Sequence, residues 1–159
     1  MCDYSLMAIP NRLAVSGEDL IVHRFAEGTL GLASPSDIRR NKESRNAQSL
    51  WRRFKQFFAP DETVPAVCIP PGARLIVRDI PQDLQHMFGL RDDMEQAVFA
   101  QLTACADSYR DALRFNNGTE VLLQRLHRGQ RVRVISVSSA DDAEPAPQGQ
   151  QSIAFSRWG

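Results

Sequence analysis

Short apolar runs separated by polar turn clusters dominate this chain, and they predict strands. Arg12-Leu13-Ala14-Val15 and Leu20-Ile21-Val22-His23-Arg24-Phe25 flank Ser16-Gly17-Glu18-Asp19, two β-favouring runs around a four-residue loop that suits a hairpin. Glu27-Gly28 turns the chain into Thr29–Ala33. Val64–Ile69 and Ala73–Arg78 are separated by Pro70-Pro71-Gly72, the residue order of a type II turn. Tyr109–Phe115 and Thr119–Leu126 flank Asn116-Asn117-Gly118 and predict a hairpin; Arg131–Val137 follows the turn His127–Gln130 as a further strand. Gln82–Phe88 predicts a short helix closed by Gly89. Met94–Ala106 fits two patterns. Asp92 and Glu95 are spaced as a capping box, and Met94, Val98, Leu102 and Cys105 suit a helix, yet Met94, Val98, Ala100 and Leu102 also share one face of a strand. The succession of hairpins around it favours a strand over Met94–Leu102.

The stretch from Ser34 to Thr63 differs in character. Ser34-Pro35-Ser36-Asp37 reads as a break, followed by Arg39, Arg40, Lys42, Arg45, Arg52, Arg53 and Lys55 with Glu43 as the only acid among them. Leu50, Trp51, Phe54, Phe57 and Phe58 fall on one helical face, with the basic residues elsewhere on the wheel, and Pro60 ends the pattern. The spacing predicts an amphipathic helix over Asn46–Ala59. The whole then reads as a mainly β fold, a small barrel or sandwich of sequential hairpins over residues 1–137, with an inserted basic helical segment at 34–63. Residues 138–151 are polar, acidic and rich in Pro, Ala and Gln, the composition of a disordered linker; residues 152–159 carry Ile153, Phe155 and Trp158, an apolar terminal segment.

Composition narrows the class. At 159 residues, with 43% apolar and 24% charged residues, the chain suits one globular domain able to bury a core without staples. Net charge is zero, so the basic segment is a local feature and not a global field. Three widely spaced cysteines, Cys2, Cys68 and Cys105, form neither a disulfide framework nor a Cys-x-x-Cys pair, and reduced thiols are expected. No signal-peptide pattern opens the chain and no apolar stretch approaches the roughly 20 residues of a membrane span. These features suggest a cytoplasmic protein.

The opening Met1-Cys2-Asp3-Tyr4-Ser5-Leu6 resembles the start of a family of small uncharacterised bacterial proteins, as do Tyr109–Gly118 and Val121–Gln130. The resemblance covers about half the chain. In that family the segment matching Gln96–Leu102 reads as a strand; the resemblance implies no activity or catalytic residue. Arg39–Phe58 reads as an insertion relative to shorter relatives.

Two candidate chemistries follow. Removal of Met1 would leave Cys2 with a thiol and an α-amine able to act as its base, the logic of N-terminal nucleophile enzymes and of a thiol sensor. Glutamine amidotransferases and proteins that trap abasic DNA also begin Met-Cys, but usually continue with Gly where this chain has Asp3. A small buried cysteine is the simpler reading. His23, His86 and His127 stand at no metal-ligand spacing with each other or with the cysteines, so neither a metal nor another cofactor is expected. Tyr109, Arg110 and Asp111 read as hairpin ion pairing. The basic segment is the stronger candidate: Arg39, Arg40, Arg45, Trp51, Arg52, Arg53 and Lys55, with Trp158 of the tail, suggest a non-enzymatic binding or adaptor protein. A protein partner is the first expectation; an anionic membrane surface and a nucleic-acid backbone are the others. The sequence leaves the oligomeric state open.

Overall fold

The computed structural model describes residues 9–25, 28–47, 64–103 and 108–137. It is mainly β, as the turn pattern predicts. Among the described residues nine strands run in chain order: β1 (Asn11–Leu13), β2 (Asp19–Arg24), β3 (Leu30–Ala33), β4 (Ala66–Cys68), β5 (Arg74–Arg78), β6 (Glu95–Gln101), β7 (Asp111–Phe115), β8 (Glu120–Leu122) and β9 (Arg131–Ser136). Helices α1 (Pro35–Ala47) and α2 (Gln82–Phe88) and a 3₁₀ turn at Leu123–Arg125 complete the described elements. Seven strands form one curled antiparallel half-barrel in the order β3-β2-β9-β5-β6-β7-β8. Inward positions alternate along the strands, so Leu20, Val22, Leu75, Val77, Val132 and Val134 enter one core with Phe99 and Leu113. Leu84 and Phe88 of α2 are buried in the same core.

Both ends of this sheet are hairpins of the same design. Arg24-Phe25-Ala26-Glu27-Gly28-Thr29 and Arg114-Phe115-Asn116-Asn117-Gly118-Thr119 share the pattern Arg-Phe-x-x-Gly-Thr. In each, the Phe N–H donates to the Thr carbonyl and the Gly N–H donates back to the Phe carbonyl, all at 2.9 Å. Gly28 and Gly118 take φ of 85° and 84°, a left-handed conformation that a Cβ disfavours. The second loop is therefore a three-residue turn with the positive φ on Gly118, while Asn117 stays at negative φ.

Several sequence expectations hold. The Gly72 turn closes with the Ala73 N–H on the Pro70 carbonyl at 3.2 Å; Gly89 ends α2 in the left-handed region; Glu95–Gln101 is a strand pairing with β5 and β7. Two do not. The expected hairpin of Arg12–Val15 with Leu20–Phe25 is absent: β1 pairs parallel with β4, Arg12 opposite Val67, while β2 pairs with β3 and β9. The intervening residues instead form a corner, in which the Gly17 N–H donates to the Val134 carbonyl at 2.7 Å. Ser34-Pro35-Ser36-Asp37 is not a break but the start of α1. Ser34 accepts from the Ile38 N–H at 3.2 Å, Pro35 takes the first helical position where its missing N–H is harmless, and Asp37 lies in the first turn. The amphipathic stretch Asn46–Ala59 overlaps the end of this helix at residues 46–47 and otherwise lies outside the described residues, as do the proposed linker and terminal segment.

Candidate functional site: an arginine-lined cleft beside a basic helix

Pairing of β2, β9 and β5 brings three arginines onto the outer face of the half-barrel. Alternation buries Val132 and Val77 and turns Arg131, Arg133 and Arg78 outward. In the register, Arg78 stands opposite Arg131, which stands opposite Ile21; one step along, Ile76 is opposite Arg133, which is opposite Asp19. All of these except Ile76 line a cleft of about 370 Å³ whose rim includes Pro35, the first residue of α1. Two acids moderate the charge. Arg133 Nη1 lies 3.4 Å from Asp19, and Arg131 Nη1 lies 3.2 Å from Asp79, whose φ of 56° is tolerated by a short polar side chain. Arg78 is half-buried, and its Nε is fully shielded with no acceptor among the described residues. Its backbone is pinned instead: the buried Gln130 donates its side-chain amide to the Arg78 carbonyl.

A second guanidinium sets the position of α1. Arg12 on β1 donates to both carboxylate oxygens of Glu18 and, at 3.5 Å, to Asp37 in the first turn of α1. Hydrogen bonding from Arg12, reinforced by the Val15 N–H at 3.1 Å, holds the Glu18 carboxyl below its ordinary pKa, and the same bond raises that of Arg12. From this anchor α1 runs as a basic, polar helix. Its one large apolar side chain, Ile38, packs with Phe25, Ala33, Ala66 and Cys68 in a small second core. Arg39, Arg40 and Lys42 are exposed, with Arg40 3.8 Å from Asp37. Arg39 follows Pro35 by four positions, so the two lie on one side of α1.

Of the candidate residues read from the sequence, the structure thus places Arg39 and Arg40 on an exposed helix and Arg45 within that helix; Cys2, Trp51, Arg52, Arg53, Lys55 and Trp158 lie outside the described residues. Cys68 is disulfide-bonded, which corrects the expectation of reduced thiols; its partner lies outside the described residues. Burial in β4, whose neighbours β1 and β3 surround it, holds that sulfur in a packed environment. Among the described residues no three His, Cys, Asp or Glu side chains group as a metal site. His23 packs edge-on against Phe25, with ring centroids 5.0 Å apart, and burial together with the nearby Arg128 lowers its pKa. His127 lies 3.3 Å from Asp83, both exposed. Asp111 is buried and accepts from Gln101 across the β6–β7 pair at 3.0 Å, a structural role.

Sequence reasoning missed Arg78, Arg131 and Arg133. The signal was present in Arg131-Val132-Arg133-Val134, where cationic and apolar positions alternate, but its partner Arg78 lies on another strand. No known protein family, curated protein or solved structure matches the chain significantly. Among the described residues, no helix is long and apolar enough to cross a membrane.

Proposed function

We propose that this is a cytoplasmic, non-enzymatic binding or adaptor protein that engages an acidic surface of a protein partner through the basic helical segment beginning at α1. The observation that carries this reading is the anchoring of α1. Ile38 docks the helix and Arg12 clamps Asp37, the acid of its first turn, so Arg39, Arg40 and Lys42 are presented to solvent from a fixed base. A helix kept only to cover the sheet would bury a broad apolar stripe; the described part of α1 does not. Fixed, exposed cations at an interface chiefly raise association rate and selectivity, and their effect falls with salt.

The test is binding of captured partners to the full chain and to an Arg39→Glu/Lys42→Glu variant, at low and high ionic strength. The reading expects a folded variant that loses partners which salt also releases. Partners retained equally by the variant would refute it.

The alternative is an N-terminal-cysteine enzyme or thiol sensor using Cys2. Cys68 is disulfide-bonded, and an oxidised cysteine pair in this chain supports the sensor form of that alternative. A Cys2→Ser protein that loses a redox-dependent change in partner binding would support that alternative over the first reading.

A further inference from the structure

We propose that the cleft bounded by Arg78, Arg131 and Arg133 binds the phosphate of a small phosphorylated molecule. The proposal does not rest on the partner-binding reading of α1; it rests on how the sheet arranges these guanidiniums. Arg78 and Arg131 are directly opposite on antiparallel neighbours, a placement in which like charges repel. Arg133 follows Arg131 by two positions on the same face, about 7 Å along the strand. Three cations therefore converge on one concavity of a chain whose net charge is zero, with Asp19 the only acid in its lining among the described residues. Such crowding is unfavourable in the empty protein and becomes favourable when a dianion sits between the forks.

The protein's own acids leave this demand unmet. Asp19 and Asp79 each reach a single guanidinium from an exposed position, at 3.4 and 3.2 Å. Arg78 has no ion-pair or hydrogen-bond partner for its side chain among the described residues, although its Nε is shielded from water. A shielded guanidinium N–H with no acceptor is costly, and an anion in the cleft would supply one.

The shape selects among anions. A carboxylate offers two coplanar oxygens, which satisfy one fork. A phosphate monoester offers three oxygens in a tetrahedral spread and carries close to two charges, matching three forks that approach from two strands. The first turn of α1 at the rim, through Pro35, adds the positive end of a helix to the same potential. A volume of about 370 Å³ accommodates more than the phosphate alone, and Ile21, opposite Arg131 on the outward face, offers the remainder of the ligand an apolar contact. The ligand class is thus a phosphate monoester with a small, partly apolar body.

The experiment uses the full chain and phenyl phosphate as probe, with inorganic phosphate and benzoate as comparisons, at constant ionic strength. Binding is read from the arginine Nε–H signals in NMR and from thermal shift. The expected result is saturable binding of phenyl phosphate, weaker binding of inorganic phosphate and none of benzoate, with shifts at the Nε–H of Arg78, Arg131 and Arg133. Arg133→Gln, at a partly exposed position, and Arg78→Lys, which keeps charge but not the fork, should each weaken binding about tenfold or more. Arg114→Gln, whose guanidinium pairs with Glu120 elsewhere on the sheet, should bind as the parent does. Vesicles containing phosphatidic acid present the same monoester from a lipid. Capture on those vesicles that phenyl phosphate does not displace would overturn the small-molecule assignment. Equal binding of benzoate, equal loss in Arg114→Gln, or no saturation of phenyl phosphate below about 10 mM would overturn the site itself.

Discussion

The side-chain amide of Gln124 takes both backbone hydrogen bonds of Leu30: it accepts from the Leu30 N–H at 3.0 Å and donates to the Leu30 carbonyl at 2.6 Å. Leu30 begins β3, one edge of the seven-stranded sheet, and Gln124 lies in the 3₁₀ turn that follows β8, the other edge. One amide thus stands in for a strand residue and joins the two ends of the half-barrel. An open edge at this point would offer unpaired backbone groups to another chain. Gln124→Ala should lower stability by about 1–3 kcal/mol in urea unfolding, because two backbone groups lose their partner together. It should also promote self-association at high protein concentration. An unchanged unfolding midpoint would show that the bridge is not needed for closure.

Asn117 plays a comparable part at the opposite side of the sheet. Its amide donates to the carbonyls of Phe88 and Gly89, both at 3.0 Å, while its oxygen accepts from the Thr119 N–H at 2.9 Å. The β7–β8 loop is therefore the cap for the last carbonyls of α2. Asn117→Ala should cost about 1–2 kcal/mol and speed amide exchange in residues 82–88 more than in β5 or β9. Uniform acceleration across the protein would instead indicate a purely global loss of stability.

These two contacts mark what the sequence disclosed and what it concealed. Turn chemistry is local, so the Gly118 hairpin, the Gly72 turn and the Gly89 helix end were all legible from a few adjacent residues. So was β6, where alternation met a helical pattern and the neighbouring hairpins decided. Pairing partners are not local. Nothing near Arg12 announces that β1 will run parallel to β4, and the turn-like Ser16-Gly17 nearby suggested a hairpin that the Val134 carbonyl captures instead. Ser34-Pro35 is ambiguous for another reason, since the same residues that interrupt a strand also begin a helix. The cleft arginines were hidden because Arg78 and Arg131 are neighbours only through sheet register.

Acidification should destabilise the protein in two steps. His23 has a lowered pKa in the folded state because burial penalises the imidazolium, so the unfolded chain takes up the proton first. Stability is then complete above the ordinary histidine value of 6.5 and declines as pH falls below it toward the lowered folded value. Glu18 is held ionised by Arg12, so its contribution is complete above the ordinary value of 4.5 and is lost as pH falls through the lower folded value. Melting temperatures measured from pH 8 to 3 should lose the first decline in His23→Gln and the second in Glu18→Gln. A His23→Gln profile parallel to that of the parent would remove His23 from the account.

Cys68 is disulfide-bonded in a chain of three cysteines, so one free thiol is the expected remainder. Alkylation in denaturant without reductant should therefore modify a single thiol per chain by intact mass, and all three after reduction. Three modified thiols before reduction would place Cys68 in the reduced state.

The position of β9 has a consequence for how the protein is made. This strand, Arg131–Ser136, sits between β2 and β5, joining the N-terminal hairpin to the strands that follow. While a ribosome is still adding residues before 131, β2 and β5 have no common neighbour, and the strand edges that β9 will pair stay bare. Closure becomes possible only when this late segment leaves the exit tunnel, so the molecule is assembled by insertion of a central strand and not by growth from one edge. Nascent chains halted before residue 131 would expose the faces that β9 covers, and these are the chains a folding helper would meet.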